Sequence, residues 1–101
     1  MSRYQLTRKA RQDLDAIWEY IAADSIHAAD RIVDALAETF ERLASFPLMG
    51  RVRPDIANPP VRLFTSKGHT IIYRPDTRPI RILRVTGYGR DLLALRIDGD
   101  V

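Results

Sequence analysis

Tyr88 and Arg90, which follow the last apolar run and alternate with Gly87 and Gly89, are the residues best placed to do chemistry, with Arg62, Lys67 and Arg84 as further cations. Cleaving a phosphodiester without a metal needs a group that exchanges a proton with the reacting hydroxyl and cations that stabilise the charge developing on phosphate. A tyrosine with arginines and a lysine supplies both kinds. Metal chemistry would need other residues. Cysteine is absent and His27 and His69 are the only histidines, so neither a metal site nor a cofactor is expected. His69 follows Gly68 in a turn with no second ligand at metal spacing, and reads as a surface histidine. Gly50 beside Arg51 and Arg53 could resemble a phosphate-binding turn, but one glycine is weak evidence and a plain loop is the simpler reading. Asp91 reads as the cap of a C-terminal helix starting at Leu92.

The elements that must position these residues fall into two parts. Arg3 to Leu6 reads as a short strand, and Thr7 as the cap of a helix whose apolar stripe is Ala10, Leu14, Ile17, Trp18 and Ile21. Trp18 on that stripe is expected to be a core residue with its indole edge exposed. Ser25 caps a second helix with the stripe Ala29, Ile32, Val33, Leu36, Phe40 and Leu43, which must stop near Phe46 because Pro47 disfavours helical geometry before it. So short a link makes an antiparallel hairpin. Pro47 to Pro60 carries four prolines and reads as an irregular connection exposing Arg51 and Arg53. Three strands follow, Val61 to Thr65, His69 to Arg74 and Ile80 to Val85, with turns at Ser66-Lys67-Gly68 and at Pro75 to Pro79. The fold class is therefore α+β: one domain over 1–101, a β-α-α-β-β-β order with the hairpin packed on an antiparallel sheet, and a short C-terminal helix or tail.

Charge follows the same division. Residues 1–46 hold six basic and eight acidic side chains, and residues 47–101 hold ten and five, so the +3 of the whole chain comes from the strand half. A polarised basic domain of this kind suits an acidic partner. Sequence-specific nucleic-acid binding is not expected, because the outer side of the second helix carries Asp30, Asp34, Glu38 and Glu41. With 46% hydrophobic and 29% charged residues and no apolar opening stretch, the chain reads as an ordinary globular one without a leader or membrane span, and the cytoplasm is the expected location.

Alternation assigns the two faces of the meander. Val61, Leu63, Ile71, Tyr73, Leu83 and Val85 are expected beneath the helices, with Tyr73 in the core and its hydroxyl at the sheet edge. The opposite face would then carry Arg62, Phe64, Ile72, Arg74, Ile80, Ile82 and Arg84. Arginines among large apolar residues suggest an interaction site there, unless Leu92, Leu93, Leu95 and Ile97 fold back to cover it.

The segments YQLTRKARQDLDAIWEYIAADS, LASFPLMGRVRPDI, VRLFTSKGHTIIYRP and IRILRVTGYGRDL, in this order between Tyr4 and Leu92, resemble the ParE-type toxins of bacterial toxin–antitoxin pairs, within the RelE/ParE superfamily. The resemblance implies a strand, two long helices and a meander, as read above. It also implies a toxin that inhibits DNA gyrase by binding it and is held inactive by a cognate ParD-like antitoxin. The superfamily's RelE-type members instead cut messenger RNA on the ribosome, and fold alone does not separate the two activities. The residues favour binding. RelE-type nucleases resemble one another in an arginine immediately before the Ser-containing turn, where this chain has Thr65, and in a C-terminal tyrosine, where it has Leu95. No catalytic residue is therefore expected. The antitoxin's acidic amphipathic segment is expected on Arg62, Phe64, Ile72, Arg74, Ile82 and Arg84, or added at a sheet edge. Tyr88, Arg90 and Arg96 are the candidate contacts to the target.

Overall fold

Thr7 begins the first helix as its sequence requires. In the computed structural model, which describes residues 3–87, the Thr7 hydroxyl accepts from Ala10 N at 3.1 Å and donates to Leu83 O at 2.9 Å. Helix α1 runs Arg8–Ala22 and α2 runs Ile26–Ser45, with the Ser25 hydroxyl accepting from Ala28 N. Both caps and the stop before Pro47 lie where the sequence places them. Thr7→Ala removes a cap and leaves a strand carbonyl without its donor. We expect a loss of about 1–2 kcal/mol in urea unfolding, and a change below about 0.3 kcal/mol would refute the dual role.

The hairpin packs on one mixed sheet of five strands. They are β1 (Tyr4–Leu6), β2 (Arg51–Arg53), β3 (Val61–Ser66), β4 (His69–Arg74) and β5 (Ile80–Gly87), in the spatial order β1-β5-β4-β3-β2. Two features differ from expectation. The connection after α2 contains β2, antiparallel to β3, where only irregular chain was expected; three residues between Gly50 and Pro54 are too few to show alternation. Strand β1 pairs parallel with β5, so the sheet is not wholly antiparallel. The expected C-terminal helix or tail lies outside the described residues.

The face assignment was right for β4 and wrong for β3, and the turn explains why. Lys67 and Gly68 both take positive φ, 53° and 77°, as the two-residue hairpin turn that matches strand twist requires. Ser66 therefore pairs with His69, Arg62 with Tyr73 and Phe64 with Ile71, so even-numbered residues of β3 share a face with odd-numbered residues of β4. A three-residue turn would have reversed this parity. On β5 an irregularity at Leu83 shifts parity again, so that Ile82 pairs with Tyr73 but Val85 with Ile71.

The result is two cores. Beneath the helices, Leu36, Phe40 and Leu43 bury Ile71, Tyr73, Ile80, Ile82 and Val85, with Phe64 packed against them. Beyond the sheet, Val61, Ile72 and Leu83 form a smaller cluster covered by Ile56 and Ala57 of the proline-rich connection. Trp18 is half-buried, and its indole N–H donates to Asp30 at 2.8 Å, tying α1 to α2.

Lys67 is the one described non-glycine residue at positive φ. Asparagine tolerates that region better than lysine, so Lys67→Asn should raise stability by about 0.5 kcal/mol, read as a higher melting midpoint. A lower midpoint would show that the turn is held by something else.

Candidate functional site

The arginines expected at the partner surface are held by internal acceptors. Arg84 donates through Nε and Nη2 to both carboxylate oxygens of Asp13, at 2.8 and 3.0 Å, and the Val85 N–H donates to the same carboxylate at 2.9 Å. The pair is largely enclosed and ties α1 to the end of β5; the Asp13 hydrogen bond outweighs burial and raises the Arg84 pKa. Arg74 forms a two-bond fork with Asp76 at 3.0 and 2.8 Å. That fork holds the Asp76 carboxyl below the usual carboxylate range. The folded value thus lies below the unfolded one, so the fork's contribution is present above about pH 4 and fades as pH falls through the folded value. At this exposed position the contribution is small and screened by salt.

Arg62 has a different task. Its Nη1 donates to Gly50 O at 2.7 Å and Leu48 O at 3.3 Å, holding the segment that leaves α2. Tyr73, fully buried as expected, holds the same segment from below: its hydroxyl donates to Pro47 O at 2.6 Å and accepts from Gly50 N at 2.9 Å. Burial pushes the phenol's pKa up while the Gly50 N–H and Arg62 pull it down. The net shift is upward, so the hydroxyl remains a donor at neutral pH.

The apolar members of the expected surface lie apart from one another. Phe64 and Ile82 belong to the core under the helices, and Ile72 is buried on the other side of the sheet. Those three and Arg62, Arg74 and Arg84 therefore do not form one exposed face. Of the cations grouped for phosphodiester chemistry, Arg62 and Arg84 are committed to Gly50, Leu48 and Asp13, while Lys67 sits at the exposed hairpin tip. Tyr88, Arg90 and Arg96 lie outside the described residues.

A different surface emerges just before and within β2. Phe46, Leu48, Met49 and Val52 are 65, 70, 40 and 48% exposed, a concentration of large apolar side chains that a soluble surface does not need for stability. Val52 lies on β2, the outer strand of the sheet, and the other three precede it in the chain, with Arg51 exposed and Arg53 half-buried on β2 itself. The segment Phe46-Pro47-Leu48-Met49 was the available signal, because four apolar residues in a proline-rich connection have no core to enter by periodicity. Among the described residues no group of acidic or histidine side chains could hold a metal ion, and no helix is long and apolar enough to cross a membrane.

Comparison with known proteins agrees with this architecture. The sequence model of the family described as the ParE toxin of the type II toxin–antitoxin system parDE matches residues 4–92. Toxin ParE3 of Caulobacter vibrioides is 31% identical over 98 residues, covering 96% of each chain. Toxin ParE1 of the same organism is 33% identical over 86 residues, 84% of this chain and 88% of the relative. Among solved structures, one described as a chromosomal ParDE toxin–antitoxin system from P. aeruginosa superposes with a TM-score of 0.69 at 28% identity, over 86% of this chain and 99% of that one. With helices, sheet order and sequence in agreement over nearly the whole length, this chain belongs to the ParE family of toxins of type II toxin–antitoxin systems.

Proposed function

We propose that this toxin inhibits DNA gyrase by binding it, and that a cognate ParD-like antitoxin with an acidic, amphipathic segment neutralises it. The family match over residues 4–92 carries the reading. The arginines support it. Arg62 and Arg84, which a metal-free nuclease would need turned toward phosphate, are bound to carbonyls and to Asp13 within the domain. Contact with gyrase is assigned to Tyr88, Arg90 and Arg96, whose cationic and aromatic groups suit a protein surface without requiring catalysis.

The test is expression of the chain with and without its neighbouring reading frame, followed by a supercoiling assay with purified gyrase. Growth arrest relieved by the neighbour, loss of supercoiling and intact messenger RNA are expected. Arrest with cleaved messenger RNA and normal supercoiling would replace this reading by ribosome-dependent RNA cleavage.

A further inference from the structure

Strand β2 ends the sheet, and among the described residues nothing pairs with its outer side. An antiparallel strand directs only part of its backbone N–H and C=O groups at its neighbour, so an edge strand offers the rest to another chain. Register fixes what surrounds those groups. Val52 pairs with Arg62 and Arg62 with Tyr73, which places Val52 on the helix side of the sheet, and the exposed Leu48 and Met49 stand in the chain that leads into the strand. Arg51 and Arg53 pair with Leu63 and Val61 and so project from the other side. The edge therefore presents one apolar row and one cationic row.

This pattern selects its occupant. A second copy pairing antiparallel about Val52 would set Arg51 opposite the other copy's Arg53, and like charges directly opposed across a pair are unfavourable. A carboxylate at each of those places turns the repulsion into attraction, so the edge favours an acidic strand over a second copy of itself. The opposite edge, β1, has half-buried Tyr4 and Leu6 and no comparable apolar row. The receiving surface is also held in place before any partner arrives. Pro47, Leu48 and Gly50 are anchored by Tyr73 and Arg62, so less ordering remains to be done on binding.

We propose that β2 receives an extended antitoxin segment in which acidic and apolar residues alternate, its apolar side chains seating on Leu48, Met49 and Val52 and its carboxylates meeting Arg51 and Arg53. The proposal rests on the antitoxin reading above and adds to it the place, the backbone pairing and the residue pattern of the partner. Arg53 already bonds Asp55 at 2.7 and 2.9 Å on an exposed surface, a contact that an incoming carboxylate can share or exchange. Arg62 and Tyr73 act here as positioning residues.

The experiment measures binding of the purified product of the neighbouring reading frame to wild-type toxin, to Leu48→Asp/Val52→Asp, to Arg51→Glu/Arg53→Glu, and to Tyr20→Asp. Tyr20 is 84% exposed and lies on α1, away from β2, so its variant is the control. The apolar double variant should bind roughly 100-fold more weakly, the size expected when a central apolar contact is lost. The charge reversal should weaken binding roughly tenfold and reduce its dependence on salt. Amide exchange at residues 51–53 should slow in the wild-type complex, and all variants should melt near the wild type. Wild-type binding with both double variants within threefold of it, or unchanged exchange at 51–53, would overturn the β2 site alone. A wild-type toxin that the neighbour's product does not bind would overturn the antitoxin reading beneath it.

Discussion

Asp13→Ala is expected to destabilise the fold by about 3 kcal/mol, lowering the melting midpoint by roughly 15 °C. The Asp13 carboxylate receives two N–H groups of Arg84 and the backbone N–H of Val85, residues more than seventy positions away in sequence. Its side chain is 16% exposed and that of Arg84 19%, so neither group recovers full hydration when the other is removed. Truncating one partner of a buried pair costs about 3–5 kcal/mol, and the partial exposure argues for the lower part of that range. Because a domain of this size is stable by only about 5–15 kcal/mol, the loss should be visible as reduced yield as well as early melting. The double variant Asp13→Ala/Arg84→Met should lose less than Asp13→Ala alone, since no unpaired charge is left behind. A single variant that melts within about 3 °C of the wild type would show that the pair does not join α1 to β5 in solution.

Gly50→Ala should cost about 2–4 kcal/mol and also weaken antitoxin binding. A Cβ at this position would sit 2.7 Å from Leu63 O and 2.7 Å from the Tyr73 hydroxyl. The first is a strand carbonyl and the second is the end of a fully buried side chain, so neither can yield cheaply. The chain from Pro47 to Gly50 must move, and Leu48 and Met49 move with it. Tyr73→Phe tests the same link from the other side by removing the donor to Pro47 O and the acceptor for Gly50 N, and should cost about 1–3 kcal/mol. The two changes meet at one contact, so their combined cost should fall below the sum of the single costs. Additive costs in urea unfolding, or wild-type antitoxin affinity for Gly50→Ala, would separate the segment's packing from its function.

Both predictions arise from contacts that no local pattern displays. The caps at Thr7 and Ser25, the stop before Pro47 and the period of each helix were legible because each depends on residues within one or two turns. The positions of β1, β3, β4 and β5 were legible for the same reason, and only the three-residue β2 was not. The side each strand buries was not, because in a strand it turns on a single residue of offset. Reading the β3–β4 turn as three residues instead of two assigned Val61 and Leu63 to the helix side and moved Phe64 and Arg62 away from it. The irregularity at Leu83 did the same for Ile80 and Ile82. The expected partner surface inherited both offsets, which is how core residues such as Ile82 entered it.

By itself, the sequence determined the two-helix hairpin, the order of every element except β2, and the family, since caps, apolar periods and the motifs between Tyr4 and Leu92 are written in neighbouring residues. Only the tertiary structure decided that β1 lies beside β5, that β2 exists, and which arginines are engaged. Arg84 is indistinguishable from Arg51 as a residue type, yet Arg84 meets a carboxylate on α1 while Arg51 stands exposed at the sheet edge. The physical reason is distance along the chain: charge pairing, strand register and the exposure of Leu48 depend on groups brought together by packing, and their energies appear only once the helices have closed over the sheet.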